Sequence, residues 1–451
     1  MNTNHQSHQH HSPPAPTRAT RHPSSPPTPP VTPSCHAVAA KAEDATCPAK
    51  LKERRRKREG GSPSTFNPQP FTPPLLPSPC PLHYTLGRCL TLDSIPTNRE
   101  PLAQALATGQ LPLDALLGIC DRHLILPAVH SSLKRHGLTE AFPAELCDHL
   151  DQLLEASRAR NRHILQQIQG INAILHTKEI APVYLKGAAH LIQGLYPDPG
   201  ERIMHDIDFL VPEAQYHTAA RALIDAGYRD ISEIPATPAE LADAKHYPAL
   251  AHPDYPVSIE IHRIPVWPDQ DAHFSAEQIL SDKQPLPEMP DAFVPSPAHQ
   301  LIHHVIHSQI ANKGYRYKMC SWRDLYDCYR LSQQVAPRDV LSGIQKQKQA
   351  EAYFLFAAQS LGLGDALYST QNRSAHRFCR HADRALRYPR RHRLYLACVK
   401  RIDILLNTYL KRIFRACYQK SARNYLINRI TNPRWRQRHR EIIRHRLNNR
   451  R

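Results

Sequence analysis

Apolar residues recur at three- and four-residue intervals over 102–117, 124–133 and 145–177, the spacing that gathers them on one stripe of an α-helix. In the last stretch Leu153, Leu154, Ile164, Leu165, Ile168, Ile171, Ile174 and Leu175 predict a long amphipathic helix with room for one break. The period then changes. Residues 182–186 read as a short strand, 187–192 as the opening of a helix, and 204–211 as an apolar, β-prone strand. Residues 214–226 predict a helix with Gly227 as its C-cap. Residues 228–231 and the cleanly alternating 256–262 read as strands, and helical patterning returns at Ala298 and runs to the end, interrupted by Pro337 and Pro389. No internal repeat of fixed period is visible.

This order predicts an α+β protein. A small mixed-sheet core over 181–265 lies between helical regions at 84–180 and 266–370, and a helical segment follows at 371–451. At 451 residues the chain exceeds one ordinary core, so two or three packed units are expected. Residues 1–83 hold 18 of the 42 prolines and a His-rich opening. Such a composition cannot bury enough apolar surface to offset chain entropy, so a disordered tail is expected there. Within it the basic run 52–58 reads as a solvated linker, or as a contact for nucleic acid or an acidic partner.

The net charge of +18 is unevenly spread. Residues 84–370 carry 24 Lys+Arg against 33 Asp+Glu, whereas residues 371–451 carry 24 against 3. The positive excess therefore belongs to the C-terminal segment, and the middle is mildly acidic. Eleven scattered cysteines form no C-x-x-C pair, which argues against a zinc ribbon or disulfide framework and suits a reducing compartment. No leader pattern and no apolar run of about 18 residues is present, so a soluble cytoplasmic protein is expected.

The chemistry concentrates at Arg202-Ile203-Met204-His205-Asp206-Ile207-Asp208-Phe209-Leu210-Val211. On a strand, Asp206 and Asp208 project from one face, roughly 6–7 Å apart along the chain. Burying a charge costs several kcal/mol unless it is paired or bound to metal, and an extended apolar strand has no packing reason to carry two acids. Glu260, flanked by Ile259 and Ile261, would join them if the strands are neighbours. Three oxygen ligands with open positions suit Mg²⁺ or Mn²⁺, which take further oxygens from substrate phosphates. Upstream, Lys186-Gly187 ends a strand and begins a helix, a phosphate cradle or simply a tight turn. Arg202 is a second candidate for triphosphate charge. The alternative for the three acids is a buried cluster satisfied by Arg202, Arg263 and backbone donors.

Taken together, Leu185-Lys186-Gly187, Arg202-x-x-His205-Asp206-Ile207-Asp208-Phe209-Leu210-Val211 and Ile259-Glu260-Ile261-His262-Arg263 resemble the uncharacterised bacterial nucleotidyltransferase family of the polymerase-β-like superfold, over roughly residues 90–370. The resemblance implies Asp206 and Asp208 as metal ligands, with Glu260 as the third carboxylate and activator of an acceptor hydroxyl. It also implies an NTP substrate, with Lys186, Gly187 and Arg202 on the triphosphate. The wider superfamily has Gly-Ser at the phosphate turn, where this chain has Lys186-Gly187-Ala188, so Lys186 is expected to substitute for the hydroxyl. The acceptor (small molecule, protein or RNA) and the oligomeric state are not legible. The competing reading is a catalytically inactive nucleotidyltransferase fold that binds RNA through its basic C-terminus. A toxin-like enzyme acting on tRNA ends would merge the two.

Other clusters are less specific. His299, His303 and His307 share one helical face with His304 alongside. H-E-x-x-H is absent, and hydrogen-bonded interface histidines are expected, with a place near the nucleotide as the next option. Arg323-Asp324 reads as a surface pair or helix cap, or as part of the site. No P-loop, nucleophile elbow or dinucleotide fingerprint occurs. In residues 394–451 apolar runs alternate with Lys and Arg. This segment predicts a solvated helix whose apolar face packs on the core, an RNA contact, or a contact with an anionic membrane.

Overall fold

The computed structural model describes residues 82–232, 241, 244–418 and scattered positions between 423 and 441. Nearly all of the proline-rich tail, including its basic run, and many of the terminal arginines lie outside the described residues. Residues 82 and 83, counted with that tail from sequence, instead open the first helix.

The helical region begins with α1 (Leu82–Leu90), α2 (Arg99–Ala107), α3 (Leu113–Arg122), α4 (Leu126–Arg135) and α5 (Ala144–His176). The helix expected over 102–117 divides because Gly109 takes a φ of +65°, a left-handed turn that glycine adopts without a side-chain penalty. The long helix expected after residue 145 is unbroken over 33 residues, burying Leu154, Ile164, Ile168, Ile171 and Leu175. Helix α1 is pinned to sequence-distant partners. A Cβ at Gly87 would stand 2.0 Å from the carbonyl oxygen of Ser360, Thr91 Oγ1 donates to the carbonyl of Leu361 at 3.0 Å, and Tyr84 donates to Asp383 at 2.8 Å.

Among the described residues there is one mixed sheet of seven strands. They are β1 (Val183–Leu185), β2 (Asp206–Leu210), β3 (Arg229–Asp230), β4 (Leu250–Ala251), β5 (Ser258–His262), β6 (Gln284–Leu286) and β7 (Met289–Val294), in spatial order β3-β4-β5-β2-β1-β7-β6. Between them lie α6 (Lys186–Ile192), α7 (Tyr216–Asp225) and α8 (Ala276–Ser281). Strand β2 runs antiparallel to β1 and parallel to β5. The β2–β5 register pairs Asp206 with Ser258, Asp208 with Glu260 and Leu210 with His262.

Strand alternation then sorts the side chains. Tyr184, Ile207, Phe209, Ile259 and Ile261 share a core with α5 and α7. Val183, Leu185 and Leu210 join a larger core on the other face. That core includes α9 (Pro297–Val305), α11 (Trp322–Ser332) and α12 (Gln347–Ser360), while α10 (Gly314–Tyr317) precedes α11. The acids share the second face, at the edge of this larger core.

Residues 266–297, grouped by sequence with a helical region, hold two strands as well as a helix. The β6–β7 hairpin extends the sheet beyond β1 through parallel pairing of Val183 with Phe293. Pro285, Pro287 and Pro290 hide these strands from an alternation reading, and proline is tolerated at such a sheet edge. The described cysteines form no disulfide.

Because Ile259 is fully buried in the core opposite the acids, Ile259→Ala is expected to cost about 3 kcal/mol. Equilibrium denaturant unfolding should show this as a lower transition midpoint.

Candidate active site

Register alone brings Leu185 opposite Asp208 and Asp208 opposite Glu260. The residue after Leu185, Lys186, has a φ of +52°, a left-handed conformation that costs a side-chain-bearing residue roughly 1–2 kcal/mol. Its Nζ lies 2.7 Å from Asp208 Oδ1. The same oxygen is 2.7 Å from His262 Nε2, so an ammonium and an imidazole converge on one carboxylate oxygen. His262 Nε2 is also 3.6 Å from Glu260 Oε2, and His246 Nε2 lies 3.7 Å from that oxygen.

These contacts set the electrostatics. Burial would raise the Asp208 carboxyl, but the charge of Lys186 and the hydrogen bond from His262 outweigh it and hold it well below its usual range. Burial would raise Glu260 too, but the nearby His262 imidazole and the charge of Lys186 outweigh it and lower this carboxyl as well. Asp206, half-buried at the start of β2, moves the other way, raised by burial and by the charge of Asp208. Burial works against the ammonium of Lys186, but Asp208 keeps it raised. Lys245 faces the same cluster and is lowered by burial and by Lys186.

Asp208, Glu260 and His262 each offer a ligand atom, all within 4.8 Å of one another, a grouping able to hold a divalent cation. His262 Nδ1 is buried without a hydrogen-bond partner. Asp206 stands outside that close group of three, although it feels both other carboxylates.

Each expected residue has a definite place. Asp206, Asp208, Glu260 and Lys186 meet on one face. Gly187 fits the turn closely, because a Cβ there would stand 3.3 Å from the Met204 side chain, with the Arg202 guanidinium in ordinary contact at 3.5 Å. Arg202, expected on the triphosphate, is instead buried and engaged with Asp327: its Nε donates at 3.1 Å and its NH2 nitrogen lies 3.0 Å away. A guanidinium so enclosed is held by a counter-charge. The arginine-satisfied acid cluster also fails, because Arg263 bonds to Ala244 and Glu213. The partners of Asp208 are Lys186 and His262.

The four histidines separate. His299 pairs with Asp282 at 3.2 Å, and His304 with the Tyr353 hydroxyl at 2.8 Å. His303 and His307, the latter in a π-helical turn over Ile306–Ala311, are held neutral by burial and by the charge of Lys186, which places them behind the cluster. Asp324 is half-buried beside His304, and burial raises its carboxyl, so a surface pair is ruled out. Sequence reasoning missed His262, Lys245, His246 and Asp327. His262 carried a signal, standing two residues beyond Glu260 on the same strand face. The others come from a loop and a distant helix and carried none.

A family model described as an uncharacterised nucleotidyltransferase matches residues 110–378. The chain belongs to that family. The match spans the whole sheet and all the cluster residues above. No curated protein matches this nucleotidyltransferase.

The Arg202–Asp327 pair makes its stability pH-dependent. Burial pushes the Asp327 carboxyl up, but Arg202, with His190, His304 and the Tyr196 hydroxyl, brings it to about 2. A carboxyl depressed from an unfolded value near 3.8 contributes on the order of 2 kcal/mol above that value. This contribution is lost as pH falls from about 4 to about 2. Asp327→Asn, which leaves Arg202 buried and unpaired, is expected to lose about 3–5 kcal/mol near neutrality and to lose less of what remains over that acid interval. Urea unfolding at a series of pH values measures both.

Proposed function

We propose that this nucleotidyltransferase moves a nucleoside monophosphate from an NTP to an acceptor hydroxyl, releasing pyrophosphate, in a metal-dependent reaction on a polymerase-β-like core. The observation that carries this reading is the register pairing of Asp208 with Glu260 on adjacent parallel strands, with Lys186 on Asp208. Two ionised carboxylates held side by side, beside basic groups, form a place where phosphate oxygens and a cation can share charge.

Asp206, Asp208 and Glu260 would hold Mg²⁺ or Mn²⁺, with His262 hydrogen-bonded to Asp208 at 2.7 Å. When bound, the ion supplies positive charge at the transferring phosphoryl group and polarises it. The residues of the chain do the rest. Glu260, kept ionised by His262, is the proton acceptor for the incoming hydroxyl. As that oxygen bonds to the α-phosphorus, the bond to the pyrophosphate oxygen breaks and the hydroxyl proton passes to Glu260. Lys186 stays charged beside Asp208 and is the ammonium placed to meet triphosphate oxygens, with Gly187 keeping the turn open. Lys245 is a second cation on the same side. Arg202 is paired with Asp327 and lies next to the β1–α6 turn.

The test is transfer of label from each α-³²P-NTP, with Mg²⁺ or Mn²⁺ and host lysate. Wild-type protein should place label on a macromolecule or metabolite, which identifies the acceptor class. Asp208→Asn and Glu260→Gln should each lower transfer at least about a hundredfold. No label from any nucleotide with either metal, using protein shown to be folded, would sink the reading. Lys186→Met should lower transfer by about 10²-fold while leaving the protein folded, as followed by its circular-dichroism melt.

A further inference from the structure

The last described helices carry an unusual surface. Helix α13 (Arg373–Arg387) packs into the main core through Ala375, Phe378 and Ala382. Beyond it, α14 (Pro389–Asp403), a π-helical stretch over Ile404–Leu410 and α15 (Lys411–Tyr418) continue without interruption. In α14 the buried residue is a charged one. Asp403 accepts from Lys313 Nζ and Tyr317 Oη at 3.2 Å each and pairs with Arg316. Polar contacts therefore fasten this arm; Leu396, Val399 and Ile404 are half-buried, and most of its other large apolar side chains are exposed. Leu394 is 72% exposed, Ile402 49%, Leu405 54%, Ile413 53%, Phe414 66% and Tyr418 76%. The expectation that this apolar face packs on the core is thus overturned for the described residues.

Isolated exposed leucines are ordinary, but a succession of large apolar side chains along one helical arm marks a surface that something covers. Charge decides what. Residues 371–451 carry 24 Lys+Arg against 3 Asp+Glu, and Arg390, Arg391, Arg393 and Arg401 are exposed on the same arm as the apolar residues. A second copy of this chain would bring two such positive segments together and pay their repulsion. RNA would reward the arginines but give Ile402, Leu405 and Ile413 nothing to bury against. A lipid surface with anionic head groups satisfies both: the acyl boundary takes the aliphatic and aromatic side chains while the head groups pair with the arginines. Among the described residues no helix is long and apolar enough to cross a membrane, so the contact is one of lying on the surface.

We propose that the arm formed by α14 and α15 is a peripheral membrane anchor that binds anionic lipid surfaces through its exposed Leu/Ile/Phe/Tyr side chains and flanking arginines. This holds whether or not the acidic cluster transfers nucleotides.

The experiment is vesicle flotation of the full-length protein, with phosphatidylcholine vesicles alone or mixed with phosphatidylglycerol. Wild-type protein should float with the anionic vesicles and stay down with the neutral ones. The double variant Ile402→Glu/Phe414→Glu changes exposed positions, so it should keep the wild-type melt while its bound fraction falls at least about tenfold. Replacing Arg390, Arg391 and Arg393 by Gln should weaken flotation and flatten its salt dependence. Three results would overturn the proposal. One is flotation that the Ile402→Glu/Phe414→Glu variant retains in full. Another is absence of flotation together with RNA binding that this variant leaves intact. The third is a wild-type dimer by sedimentation that the same variant converts to monomer without any lipid binding.

Discussion

The side-by-side pairing of β2 and β5 is the constraint on which the rest of the centre depends. Parallel strands set Asp208 directly against Glu260, and no flexible loop could hold two carboxylates so close at comparable cost. Like charges at that separation repel strongly in a partly desolvated setting. The neighbourhood answers with basic side chains from three directions: Lys186 from the end of β1, His262 from further along β5, and Lys245 from the loop before β4. Strain is part of the same arrangement, because the left-handed backbone at Lys186 is where the ammonium begins its reach. A glycine would relax that backbone and remove the charge.

A second buried pair supports the first. Arg202 and Asp327 join the segment before β2 to α11, with Tyr196 donating to the same carboxylate at 2.7 Å. Glu201, fully buried one residue earlier, bonds to Arg135 of α4 and Tyr326 of α11 at 2.6 Å each. The strand carrying the acids is therefore tied at its entrance to helices on both sides of the sequence. Such buried polar networks contribute uniqueness of geometry more than net stability.

How much of this could be read from the chain depends on distance along it. The acid strand, the Lys186 turn and the Glu260 strand were legible because alternation and local residue type determine them, and the family match spans that region. What the strands pair with was less so. The β6–β7 hairpin, with prolines at 285, 287 and 290, offered no alternation, although the Ser275/Gln278 capping box before it is a local signal of a helix start. Arg202 looked free because its counter-charge, Asp327, lies 125 residues away. An arginine near two aspartates in sequence chose a third one in space. Partners of that kind are set by the tertiary fold, and no local pattern announces them.

The docking of α1 bears on how the molecule is made. Gly87 lies against Ser360, Thr91 bonds to Leu361, and Tyr84 reaches Asp383, 299 residues further on. Ribosomes add roughly 5–20 residues per second. The first helix therefore emerges on the order of tens of seconds before the distant partners of Tyr84, Gly87 and Thr91 exist. During synthesis one flank of α1 waits for partners nearly the whole chain away, and the length of that exposure is fixed by chain order, before any chemistry at the acidic centre begins.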